Sequence, residues 1–209
     1  MPSLPDFLAF ALATLVLNLT PGPDLMYIVA RSLGQGRQAG ILSALGIGTG
    51  CLFHTFLAAF GISAVLRSSP VAFAVIRYAG GAYLVYLGLR LLFRRAGVKT
   101  ALEPRPPAPP AAIFRQGMFT NMLNPKVALF FLAFLPQFVS PQRGPIAMQM
   151  TVLGLYFIFS GTLVCLMVAL LAGAAGDFFR RGRNAQRLER SSGLVFIALG
   201  LRVSLSRAA

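Results

Sequence analysis

The sequence predicts an all-α polytopic membrane bundle of about six helices, built as an inverted three-plus-three repeat whose halves each begin with a proline-broken helix. Three observations carry that prediction. The 209 residues are 56% hydrophobic and 11% charged, with a mean hydropathy of +0.73, whereas soluble domains are about a quarter charged. Two stretches of helix-breaking, hydrogen-bonding residues, Asn18 to Asp24 and Asn121 to Lys126, interrupt otherwise apolar runs. Finally, Gly81 to Arg90 and Gly193 to Arg202 share one spacing, Gly-x5-Leu-Gly-Leu-Arg.

At about 20 apolar residues per crossing, six helices with short connections consume nearly the whole length, so no soluble catalytic domain and no enzyme are expected. The net charge of +14 sits between apolar segments and is not interleaved with exposed aromatics, which argues against a nucleic-acid partner and for basic loops flanking a lipid bilayer. No basic region precedes the first apolar run, and Asp6 is its only early charge, so that helix is expected to be retained and not cleaved as a signal peptide.

The first segment, about residues 4 to 33, is too long for one straight crossing, and the rings of Pro21 and Pro23 forbid a continuous hydrogen-bond ladder. A second, Gly40 to Leu66, has no formal charge at neutral pH and carries Gly46 and Gly50 at a spacing that lets a neighbour approach closely. The third, about Val71 to Phe93, holds Arg77 and Arg90 near its ends, within snorkelling reach of the interface. From Arg94 to Pro110 the composition changes to five prolines with Arg94, Arg95, Lys99 and Arg105, a solvated linker. The fourth segment, about Ile113 to Val139, is the second broken helix; the fifth lies in the uncharged run between Arg143 and Asp177; the sixth, about Arg190 to Ser206, is shortened by Arg202, and a five-span alternative hangs on it.

The expected organisation is therefore a first three-helix repeat over 1–93, a cytoplasmic linker over 94–112 and a second repeat over 113–209. Three spans per unit force the halves into opposite orientations. Thirteen basic residues, Arg31, Arg37 and those from Arg90 to Arg115 and Arg180 to Arg190, fall on one side, and five fall on the other, which makes the richer side cytoplasmic and turns both termini outward.

Irregular backbone at membrane depth belongs inside a bundle, where unwound carbonyls meet cations and half-helix amino ends meet carboxylates. Asp24 is the one acidic residue at either break; Asp6, Glu103, Asp177 and Glu189 lie near ends or loops. It is read either as a helix cap or partner of Lys126, or as the proton-coupling carboxylate or ligand of a substrate ammonium. Lys126 follows Pro125 as Asp24 follows Pro23, and its leading role is to pair with Asp24, with a substrate carboxylate second. Asn18, Thr20, Asn121 and Asn124 suit helix ends and substrate alike, with Pro21, Gly22 and Pro23 shaping the break between them. His54 shares a helical face with Gly50, Ala58 and Gly61 and is read as a packing residue before a proton relay. No cluster of metal ligands is present, and no cofactor is expected.

The run Asn18-Leu19-Thr20-Pro21-Gly22-Pro23-Asp24, the segments Arg31 to Gly40 and Gly46 to His54, and Phe114 to Lys126 followed by Phe130 to Phe138 together resemble the LysE/RhtB family of amino-acid exporters, the lysine, homoserine and threonine efflux type. The likeness covers almost the whole chain. It implies a bacterial inner-membrane secondary exporter of amino acids or close derivatives, driven by the proton motive force without ATP, with protons, a small-molecule amino-acid substrate and the lipid bilayer as partners. The substrate varies within the family, and a homodimer stays open beside a monomer. Two rival readings accompany it: a thiol carrier using Cys51 and Cys165, which lie in corresponding helices, and an ion exporter of similar fold.

Overall fold

The computed structural model describes residues 2–93, 107–172 and 182–205. Among them there is no strand. The elements are α1 (Leu4–Leu19), α2 (Pro23–Gln35), α3 (Arg37–Phe56), a π-helical continuation (Leu57–Ile62), α4 (Ser63–Ser68), α5 (Pro70–Phe93), α6 (Pro110–Met122), α7 (Pro125–Leu129) running through a π turn (Phe130–Phe134) and a 3-10 turn (Leu135–Phe138), α8 (Ile146–Leu170) and α9 (Gly182–Leu205). The chain is an all-α polytopic membrane protein.

Both proline breaks form. α1 and α2 meet at 46°, and α6 meets the segment beginning at Pro125 at 43°. The first break has local causes: Thr20 is extended, Pro21 cannot donate, and Pro23 restarts the helix at a first-turn position where a missing N–H costs nothing. At the second, the Asn124 carboxamide oxygen accepts the Lys126 N–H at 3.0 Å and caps α7. At the start of α1, the Ser3 hydroxyl oxygen likewise accepts the Asp6 N–H at 3.2 Å.

Among the described residues two helices, Arg37–Val65 and Ile146–Leu170, are long and apolar enough to cross a bilayer, and the count rises to four if each bent pair is one span. Tyr78–Phe93 is a shorter apolar helix. The helix expected from about Arg190 begins earlier, at Gly182, because Arg, Gln, Leu and Glu in its first turns are good helix formers even where they are too polar for lipid. The proline-rich stretch up to Pro106, and with it Lys99 and Arg105, lies outside the described residues, as do Arg180 and Arg181.

Lipid-facing and inward faces separate cleanly on α1, where Leu4, Leu8, Leu12, Leu15 and Leu19 are exposed while Phe10, Ala13, Thr14 and Leu17 are buried. Inside, rings close the core: Phe10 meets Phe130, Phe134 and Phe138, and Phe157 meets Phe130 and Phe131 at 5.3 and 5.0 Å. The hydroxyls of Ser43, Thr55 and Ser160 donate to the carbonyl four residues back, whereas those of Thr14 and Ser32 are buried without a partner.

Glycines set the closest helix approaches. A Cβ on Gly46 would lie 2.2 Å from the Phe114 carbonyl oxygen and one on Gly50 2.4 Å from that of Met118, so α3 and α6 touch backbone to backbone. The two copies of the repeated spacing pack on each other. Gly88 faces Gly193, and Gly200 faces the Gly81 carbonyl, which makes α5 and α9 antiparallel. α3 and α8 are antiparallel too, with Gly48 against Thr162 and Gly154 against Thr55.

Candidate functional site

The two breaks come together. The Asn121 side-chain amide donates to Asp24 Oδ2 at 2.9 Å across 97 residues of sequence, joining the end of α6 to the start of α2. Around this bond lies a cavity lined by Asn18, Thr20, Gly22, Asp24, Asn121, Asn124 and Lys126 from the breaks, Ile47, Gly48 and Cys51 from α3, and Phe157, Gly161, Thr162 and Cys165 from α8. It leaves about 40 Å³ for the centres of water molecules, enough for about three waters and far too little for an amino acid.

Each break leaves backbone carbonyls at the end of its first half-helix, and an unmet peptide group in hydrocarbon costs several kcal/mol. At the first break, Lys126 Nζ donates to the carbonyls of Leu17 and Thr20, both at 2.7 Å, while the Thr20 hydroxyl donates to Val16 O at 2.6 Å. At the second, buried His54 lies with Nε2 3.1 Å from Asn121 O, which assigns the proton to Nε2 because a carbonyl only accepts. Each broken end is thus closed by a side chain from a distant part of the chain.

The pairing of Lys126 with Asp24 that the sequence suggests does not form: no ion pair within 4.0 Å joins them among the described residues. The ammonium is engaged with carbonyls instead. Asp24 keeps one oxygen on Asn121 and holds the other, Oδ1, buried without a partner, and Asn121 Oδ1 is likewise buried and unpartnered. Two acceptor oxygens are therefore left unsatisfied on residues that line the cavity. Asn18 reaches Ser160 at a long 3.4 Å and lies over Gly161. Gly22 is extended, and a Cβ there would make only ordinary contact with Lys126 at 3.5 Å, so neither strain nor crowding demands glycine at this position. Pro21 is half-buried, whereas Pro23 and Pro125 are exposed; all three act through the backbone they restrict.

Sequence reasoning places Cys51 and Cys165 in corresponding helices without linking them to the breaks, and neither adjoins a proline; in space both line the cavity. It also missed the α8 wall. The polar triplet Ser160-Gly161-Thr162 inside the uncharged run is the signal for it.

Polar contacts also close the end of the molecule beyond the cavity. Arg31, buried on α2, donates to Gln116 at 2.6 Å and to Gln35 at 2.7 Å, Tyr27 donates to Ile113 O at 2.8 Å, and Gln35 donates to Ala108 O at 3.0 Å. These bonds tie α2 to the beginning of α6. At the far end of α1, Arg143 meets Asp6 at 2.7 Å.

Among known proteins, the chain is similar to the membrane protein YrhP of Bacillus subtilis (strain 168), 27% identical over 96% of this chain and 99% of the relative. It is 28% identical to the homoserine/homoserine lactone efflux protein of Salmonella typhimurium over 95% of this chain and 96% of the relative. It is 31% identical to the leucine efflux protein of Salmonella choleraesuis over 64% of this chain and 63% of the relative. No solved structure matches. The sequence model described as LysE type translocator matches residues 15–207, nearly the entire length, and the chain belongs to that family.

Proposed function

We propose that this protein is a secondary exporter of amino acids or close derivatives, driven by the proton motive force across a bacterial inner membrane. The observation that carries the reading is the Asn121 to Asp24 hydrogen bond, which unites the two breaks in one cavity lined by the lone acidic residue of either break. The relatives named for leucine and for homoserine efflux support an amino-acid substrate. Asp24 Oδ1 and Asn121 Oδ1 accept the substrate ammonium, and the amino end of α2 faces its carboxylate. Six spans, the sixth being α9, place the Arg31 and Gln116 cluster on the cytoplasmic side and the Asp6 to Arg143 pair outside. The test is transport of leucine, homoserine, dipeptides and metal ions in proteoliposomes with and without a pH gradient. Movement of metal ions alone, or of no amino acid, would sink the proposal.

Alternating access requires the α2 to α6 ties to open towards the cytoplasm. Gln116→Ala removes the acceptor for Arg31, a charged bond of about 1.5–3 kcal/mol, and shifts the balance towards the open state by about tenfold or more. The native cysteines report it: alkylation of Cys51 and Cys165 in inside-out vesicles is expected to accelerate in Gln116→Ala and to slow when substrate is added. Equal rates in wild type and variant would exclude these ties as the gate.

Because both cysteines line the cavity, the thiol-carrier reading keeps a concrete observation of its own. Export by a Cys51→Ala/Cys165→Ala double variant is expected to stay within about twofold of wild type, since each change removes a single sulfur atom beside an existing cavity and no charge. Loss of export together with loss of thiol exchange would favour the carrier.

A further inference from the structure

We propose that the carbonyls of Leu17 and Thr20 form a monovalent-cation site at the carboxyl end of α1, and that Lys126 fills it with its own ammonium, so that the transporter carries a fixed internal cation and needs no sodium or potassium. The proposal rests on the secondary-transporter reading above.

Carbonyls at the end of an interrupted helix are the ordinary cation ligands of broken-helix transporters, because they lack intrahelical partners and stand at the negative end of the helix dipole. Here two of them converge on one nitrogen at 2.7 Å each, from a residue more than a hundred positions away. Leu17 O also receives the Thr20 N–H at 3.2 Å, so the ligand geometry is fixed by the turn itself. The lysine is delivered by design of its own break: Asn124 holds the Lys126 N–H, and the side chain then passes beside Gly22, whose missing Cβ would sit 3.5 Å from both Cδ and Nζ.

Two further facts separate this arrangement from a lysine that merely balances charge. Asp24 is not within ion-pair distance, so the ammonium is not its counterion by contact. At the second break a carbonyl is met differently, Asn121 O by the Nε2–H of His54, so a lysine closes one break only. The cavity beside the lysine has room for waters, and truncating the side chain adds space next to the same two carbonyls.

The test compares wild type with Lys126→Ala, Lys126→Met and Lys126→Arg in buffers whose cation is N-methylglucamine, sodium, potassium or methylammonium. Wild type is expected to melt and transport identically in all four. In N-methylglucamine, Lys126→Ala is expected to lose at least about tenfold in transport. Sodium, potassium or methylammonium at tens of millimolar is expected to raise its melting midpoint by several degrees and restore part of the flux. Lys126→Met fills the space with an apolar chain and is expected to gain nothing from any cation, while Lys126→Arg keeps partial activity without one. Dependence of wild type on sodium or potassium overturns the proposal, as does a Lys126→Ala protein that is fully active in N-methylglucamine or indifferent to small cations. If Lys126→Ala is recovered folded only when purified in a small cation, the proposal stands; recovery in none overturns it. Because melting needs no substrate, failure of the export reading shows separately, as wild-type protein with cation-independent stability that moves no amino acid.

Discussion

Asp24→Asn is expected to lower proton-driven export by at least about tenfold while leaving the fold intact. The substitution is isosteric and an amide oxygen still accepts the Asn121 amide hydrogen, so the bond that joins the breaks survives. What disappears is the charge and the ability to hold a proton. A hydrogen bond to a charged group is worth about 1.5–3 kcal/mol, or about tenfold to somewhat over a hundredfold in affinity or rate. Two assays divide the roles. If downhill exchange of substrate persists while accumulation against a gradient is lost, Asp24 carries the coupling proton; if both fall together, it holds the ammonium. Export at the wild-type rate would remove Asp24 from either role.

Gly46→Ala is expected to destabilise the protein more than any other single methyl addition near the site. Its Cβ would stand 2.2 Å from the Phe114 carbonyl oxygen, and backbone cannot rotate away as a side chain can. Overpacking costs about 1–3 kcal/mol, which lowers a melting midpoint by several degrees in a domain of this size. The damage also reaches function, because α3 and α6 must separate, and two turns further along the same pair His54 holds Asn121 O at 3.1 Å. Gly61→Ala is the control: nothing lies within 4 Å of its added methyl, and its melting should match wild type. A Gly46→Ala protein that melts like wild type would show that the two helices are not in backbone contact.

The breaks were legible because proline and asparagine announce them, and the glycine contacts because Gly46 and Gly50 stand one turn apart. So was the repeated spacing on α5 and α9. The π-helical stretches Leu57–Ile62 and Phe130–Phe134 were not, since nothing in LAAFGI or FFLAF distinguishes them from ordinary apolar helix. Lys126 was read against Asp24 for a related reason. A sequence displays side chains that invite pairing, but every residue carries a carbonyl, and which carbonyls become orphaned depends on where two distant helices end. His54 and Asn121 O escaped notice on the same ground, and the cysteines reached the cavity through helix rotation that apolar runs leave unmarked.

The reach of Lys126 back to Leu17 and Thr20 spans 109 and 106 residues, and this has a consequence for biosynthesis. When α1 leaves the ribosome and enters the bilayer, the residue that closes its carboxyl end has not been made. Until then those carbonyls must keep water or translocon groups as partners, since hydrocarbon offers none. The first break is therefore expected to stay hydrated at the membrane until the second half arrives and Lys126 takes the place of those partners.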